Sequence, residues 1–240
     1  MEKIVFKDYN ELSKQTAKFI AERIIEKPNS LLCFPAGETS IGTFDELIKL
    51  RDKGLFDFSK CKFVGLDEWV NLGNMENENC YNFLRMRFFD KAGIHKNNLC
   101  FFNGEANNLN YECEKTETFI KENNGIDLML LGVGMNGHVG LNEPGTSLDN
   151  YSHVVDLDEV TKKVGQKYFT QHVELSLGIT LGIKNIMDSS IVILQLSGKQ
   201  KSKIVKIILE SKITNNFPAS IIKLHKNSYL FIDEEAQNYD

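Results

Sequence analysis

The stretch from Gly132 to Gly145 reads GVGMNGHVGLNEPG and contains a single histidine, His138. Imidazole exchanges protons near neutral pH more readily than any other unperturbed side chain. Asn136 stands two residues before His138 and Glu143 five residues after it. An amide to orient the ring and a carboxylate to charge it, on a glycine-rich loop, form an acid–base constellation. A histidine capping a turn is the plainer alternative. His138 and Glu143 do not have the spacing of a zinc-binding helix, and no second histidine lies nearby, so no metal is expected.

Three other segments carry chemistry of weaker specificity. Leu66-Asp67-Glu68-Trp69 places two adjacent carboxylates after an apolar run. Side chains alternate on extended backbone, so only one of the two can face a site. Either acid also reads as a solvated loop residue, and Trp69 reads as packing. Pro35-Ala36-Gly37-Glu38-Thr39-Ser40 offers Gly37 for close backbone approach, with the hydroxyls of Thr39 and Ser40 for an anion. It serves equally as a strand–helix turn with a hydroxyl cap. It lacks the lysine of a nucleotide-binding loop, so nucleotide is not implied. Lys201 in Gly198-Lys199-Gln200-Lys201 and Lys167 in Gly165-Gln166-Lys167-Tyr168-Phe169 are the candidate cations. A lysine at the start of a helix opposes the helix dipole, which makes more sense beside a bound anion. Both also read as surface lysines.

These segments need a frame. Short apolar runs at residues 30–35, 62–66, 126–132, 190–196 and 228–232 predict buried strands. Amphipathic stretches over residues 10–27, from about 40 to 53, 79–93, 109–123 and 199–210 predict helices. Strands spaced by helices imply a single-domain, Rossmann-like α/β fold: a mostly parallel sheet with helices on both faces. Ligands in such sheets bind at the carboxyl ends of the strands, where the four segments fall. No repeat or Pro/Ser-rich linker divides the chain, so one domain over 1–240 is expected.

Composition narrows the partners. The chain has 240 residues, 42% of them hydrophobic, enough for one sizeable core. With 25% charged residues and a net charge of −5, nothing points to nucleic acid or to an anionic membrane surface. An anionic substrate therefore needs local cations. The N-terminus does not read as a signal peptide and no long apolar run occurs, so a cytoplasmic protein is expected. The five cysteines are odd in number and form no C-x-x-C pair. Reduced thiols are expected rather than disulfides or a zinc site.

With LDEWV at 66–70 and GMNGHVGLNEPGTSL at 134–148, the chain resembles the glucosamine-6-phosphate deaminase (isomerase) family over nearly its whole length. The resemblance implies that Asp67 is the enolisation base, that His138 and Glu143 open the sugar ring, and that Asn136 is their polar partner. It implies a phosphate site from Gly37, Thr39, Ser40, Lys167 and Lys201. Glu38 and Ser40 depart from the family's T-G-G-T-P loop, and Lys167 stands where the family has an arginine. A lysine keeps the charge but loses the bidentate fork.

The implied reaction is isomerisation and deamination of a hexosamine 6-phosphate, converting glucosamine 6-phosphate and water to fructose 6-phosphate and ammonia. No cofactor is implied, the partner is a small sugar phosphate, and the oligomeric state is left open. A sister branch converts galactosamine 6-phosphate to tagatose 6-phosphate, and Gly178-Ile179-Thr180-Leu181-Gly182 resembles that branch too. The 6-phosphogluconolactonases share the fold, but they read GHTASLFPG and D-E-R where this chain has NEPG and DEW.

Overall fold

Continuous apolar runs become strands buried on both faces. The computed structural model of the chain describes residues 1–239, apart from the side chains of residues 74, 76 and 77. The five expected runs form β2 (Leu31–Phe34), β3 (Lys62–Gly65), β6 (Leu128–Leu131), β9 (Val192–Leu196) and β10 (Ser228–Asp233). Two further strands complete the sheet, β1 (Glu2–Phe6) and β5 (Leu99–Cys100). The order is β1-β10-β9-β6-β2-β3-β5, with every pair parallel. Both additions are edge strands. β1 carries exposed Glu2 and Lys3, and β5 has two residues, so neither presents the apolar run that marks a central strand.

The helices are α1 (Tyr9–Glu26), α2 (Ile41–Asp52), α3 (Cys80–Leu84), α4 (Asp90–Ala92), α5 (Leu109–Glu122), α6 (Glu159–Gly165), α7 (Ile183–Asp188), α8 (Ser202–Glu210) and α9 (Glu234–Gln237). Local chemistry sets their ends. Asp8, Asn79 and Asn108 each accept an N–H from the first turn of α1, α3 and α5. The single helix expected over 79–93 is α3, a π-helical turn at Arg85–Phe89, and α4, stopped by Gly93 at φ 64°.

Strand alternation sends side chains to two cores. Leu31, Cys33, Met129, Leu131 and Leu194 pack with α7 and α8 on one face. Leu32, Phe34, Leu128, Leu130 and Ile193 pack with α1, α2 and a phenylalanine cluster on the other. Phe88 is fully buried there, with its ring 5.0–6.0 Å from those of Phe34, Phe44 and Phe63.

A second, antiparallel sheet was not expected: β4 (Asp67–Trp69), β8 (Leu177–Thr180) and β7 (His153–Asp156), in the order β4-β8-β7. Strands of three or four residues are too short to show a period, and their partners lie far apart in sequence. This sheet has its own small core, in which Trp69 meets Phe169 edge-on at 6.1 Å. Trp69 is therefore a packing residue.

From β2 the chain winds outward to β3 and β5, then returns to β6 on the other side of β2. Loops leaving β2 and β6 therefore diverge, which opens a crevice at the carboxyl ends of these strands.

Candidate active site

Asp67 begins β4 directly after β3. Leu181 N–H donates to Leu66 O at 2.8 Å, and Asp67 pairs in register with Thr180. The antiparallel pairing turns Asp67 toward the crevice and Glu68 away from it. Glu68 is 1% exposed and accepts the N–H groups of Trp69, Cys80 and Tyr81 at 2.9, 2.8 and 3.0 Å. It fixes the start of α3. Burial pushes its carboxyl up to about 7, against the three donors that favour the anion. The choice left open between the two acids is thus made by strand geometry. Burial raises Asp67 to about 6, with the His138 charge opposing that rise.

His138 sits in the loop after β6. Gly134 N–H donates to His138 O at 2.9 Å, closing the loop on itself. A Cβ on Gly134 would lie 2.4 Å from the imidazole, so the ring packs against bare backbone. Gly137 holds φ 87° and has Phe217 where a side chain would go. Ala219 N–H donates to Gly137 O at 2.9 Å, so the 217–220 segment backs the loop. Thr180 braces it from the other side, accepting Leu141 N–H at 3.1 Å.

The ring's Nδ1 lies 3.6 Å from Glu143 Oε2 and 3.0 Å from Thr161 Oγ1 of α6. Nε2 has no protein partner among the described residues and is the nitrogen left for the cavity. Asn136 Nδ2 donates to Glu143 Oε2 at 2.8 Å, and its Oδ1 accepts His138 N–H at 3.2 Å. Asn136 thus holds the carboxylate and the loop backbone rather than the ring. Burial works to raise the Glu143 carboxyl, but the neighbouring His138, with its charge, and the polar groups of Thr161 and Asn136 outweigh it and hold the group below the usual range.

The turn after β2 lines the same cavity as His138. Gly37 is extended and precedes a 3-10 turn, Glu38–Ser40, that runs into α2. Ser40 is buried, and its hydroxyl donates to Gly37 O at 2.7 Å. Its proton serves the turn, because a buried hydroxyl takes the nearest carbonyl. Gln195 was not anticipated. It is buried in β9, donates to Thr39 O at 3.2 Å and accepts from Thr43 Oγ1 at 3.0 Å. The lone polar residue in the run VILQL was the available signal. Thr161 gave none, being one hydroxyl on a polar helix.

Lys201 follows the left-handed Gly198, whose N–H donates to Asp233 Oδ1 at 3.0 Å. Its ammonium donates to Val133 O at 2.6 Å, which brings the charge to the end of β6. Burial, then the charge of Lys167, lowers its pKa to about 8. Lys167 reaches the same end from the segment after α6, 2.9 Å from Glu38 and over the Tyr168 ring at 4.9 Å.

Asp67, His138, Gly37, Thr39, Ser40, Lys167 and Lys201 all line one cavity of about 330 Å³. Asn136 and Glu143 lie behind His138 and do not line it. The five cysteines are buried and free. Two of them, Cys33 and Cys80, lie near enough to Asp67 for its charge to add to burial in pushing their thiols up.

A carboxylate, an imidazole and two ammonium groups lining one crevice at the carboxyl ends of a parallel sheet mark an α/β fold with a candidate site for a small anionic molecule. The chain belongs to the glucosamine-6-phosphate isomerase/6-phosphogluconolactonase family, whose model matches residues 7–231. It is 39% identical to a glucosamine-6-phosphate deaminase of Clostridium novyi (strain NT) over 237 residues, covering 98% of each chain. It is 38% identical to one of Clostridium botulinum (strain Kyoto / Type A2), covering 97% of this chain and 96% of that one. Among solved structures, a monomeric glucosamine-6-phosphate deaminase superposes with a TM-score of 0.95 at 34% identity, over 100% of both chains. The 6-phosphogluconolactonase of Thermotoga maritima superposes with a TM-score of 0.76 at 20% identity, over 97% of this chain and 99% of that one, a likeness of fold. No helix among the described residues is long and apolar enough to cross a membrane.

Proposed function

We propose that this chain isomerises and deaminates glucosamine 6-phosphate, giving fructose 6-phosphate and ammonia. The observation that carries the reading is the shared cavity, lined by Asp67 and His138 together with Lys201 and Lys167. The names of the relatives agree with it.

The phosphate binds at the basic end, against Gly37, Thr39 and the two lysines, and so fixes the distance to the reacting carbons. Nε2 of His138 exchanges a proton with the ring oxygen as the sugar opens. Glu143 and Thr161 at Nδ1 stabilise the imidazolium, and Asn136 holds Glu143 in place, in the manner of a base and its orienting groups. Asp67 then removes the C2 proton and returns it to C1 through an enolamine. Its raised pKa, about 6, leaves it ionised at neutral pH and more basic than an ordinary carboxylate. Water adds to the resulting ketimine, and ammonia leaves. The same reading takes residues 1–240 as one functional unit. It also favours the cytoplasm, because charged sugar phosphates do not cross membranes unaided.

An ammonia-release assay on glucosamine 6-phosphate and galactosamine 6-phosphate, beside lactone hydrolysis, tests the proposal. The highest kcat/KM is expected with glucosamine 6-phosphate. A higher value for galactosamine 6-phosphate would reassign the substrate. Lactone hydrolysis without ammonia release would sink the deaminase reading.

A further inference from the structure

Glu38 places a carboxylate at the basic end of the cavity. Its Oε2 lies 2.9 Å from Lys167 Nζ, joining the turn after β2 to the segment after α6. The two side chains are 69% and 46% exposed, so burial does not hold them together. Glu38, Lys167 and Lys201 all line the cavity, and Lys167 is near enough to Lys201 for its charge to be felt there. An anion arriving at this end meets two cations, one of them already engaged by an acid of the protein itself.

We propose that Glu38 is an internal competitor for the phosphate subsite, pairing with Lys167 and weakening the subsite's hold on phosphate. The proposal rests on reading the basic end as that subsite. Two arrangements are open when phosphate arrives. Lys167 can leave Glu38, and the ion pair is lost. Alternatively, it can serve both anions, since an ammonium has three donors. Carboxylate and phosphate dianion then repel, held close together by the ammonium they share; without Lys167 the exposed Glu38 side chain turns to solvent and the repulsion fades. Binding is weakened in either case. At roughly 5–6 Å in a largely solvated setting, with partial screening by salt, the effect amounts to about three- to ten-fold in affinity. Pre-positioning of Lys167 by Glu38 acts in the opposite direction. An exposed pair restrains geometry weakly, so the charge effect prevails. The consequence is a subsite that does not saturate with free phosphate and that releases its product.

The probe is inorganic phosphate itself, titrated by calorimetry at pH 7.5 and low salt, which needs no turnover. Wild type, Glu38→Gln, Lys167→Ala, the double variant and Lys201→Ala are compared. Glu38→Gln is expected to bind phosphate roughly three- to ten-fold more tightly than wild type. In the Lys167→Ala background that gain is expected to shrink by half or more, as it must if the two side chains act through each other. Unchanged or weaker binding in Glu38→Gln would overturn the competition. So would an equal gain in both backgrounds, which would make Glu38 a diffuse charge only. Phosphate binding that is insensitive to both Lys201→Ala and Lys167→Ala would overturn the subsite itself, and the role of Glu38 with it.

Discussion

Asp67 lines the cavity half-buried, near Cys33 and Cys80, and burial raises its pKa from 3.8 to about 6. A carboxyl that holds its proton more tightly in the folded chain than in the unfolded one stabilises the fold fully below pH 3.8. That contribution disappears as pH rises through about 6. Above that pH the ionised group costs the fold about 1–3 kcal/mol, a range reduced for partial solvent access. Asp67→Asn is therefore expected to abolish ammonia release and to raise stability at pH 8. Its advantage should vanish near pH 4. Urea unfolding at the two pH values measures this, and a variant less stable than wild type at pH 8 would contradict the assignment. Lys201 titrates on the other side of neutrality. With its pKa near 8, affinity for a sugar phosphate should fall as pH rises past that value. A hexitol 6-phosphate, which has no amine of its own to titrate, isolates this limb. Lys201→Arg stays charged and should bind almost independently of pH between about 7 and 9.5. An alkaline limb surviving in the arginine variant would assign it to another group.

At the scale of the element, the loop from β6 to Glu143 does two separable jobs with two glycines. Gly134 leaves room for the His138 ring, and the atoms nearest to a Cβ there all belong to the imidazole. Gly137 holds a left-handed backbone against Phe217. Gly134→Ala should displace the ring and lower kcat at least ten-fold, about 1.4 kcal/mol of barrier, while thermal stability changes little. Gly137→Ala should destabilise the fold by about 1–3 kcal/mol through strain and contact with Phe217. Thermal unfolding and steady-state kinetics on the two variants separate these effects. If both lost stability equally, the division of labour would be wrong. The small antiparallel sheet performs a similar service for Asp67, since pairing with β8 decides which of two adjacent acids faces the crevice.

At the scale of the whole molecule, a chain of net charge −5 repels an anionic substrate at long range, and two lysines brought together at one end of a cavity supply the local attraction. The strands that assemble the cavity were legible from residue order, because a buried parallel strand must be apolar on both faces. Those runs predicted β2, β3, β6, β9 and β10 and the loops that leave them. The type of chemistry was legible as well, since His138, Asn136 and Glu143 lie within eight residues of one another on a glycine-rich loop. Edge strands β1 and β5 and the three strands of the small sheet were not legible. Their apolar pattern is short, and their stability comes from partners distant in the chain. The same reason hid Thr161 behind His138, Gln195 beneath the turn after β2 and Glu38 beside Lys167. Residue types and local spacing announce proton transfer wherever its groups are neighbours in sequence. Contacts between residues 23, 156 and 129 positions apart exist only once the sheet has folded, because hydrogen bonds and ion pairs act over a few ångströms of space and carry no signature along the chain.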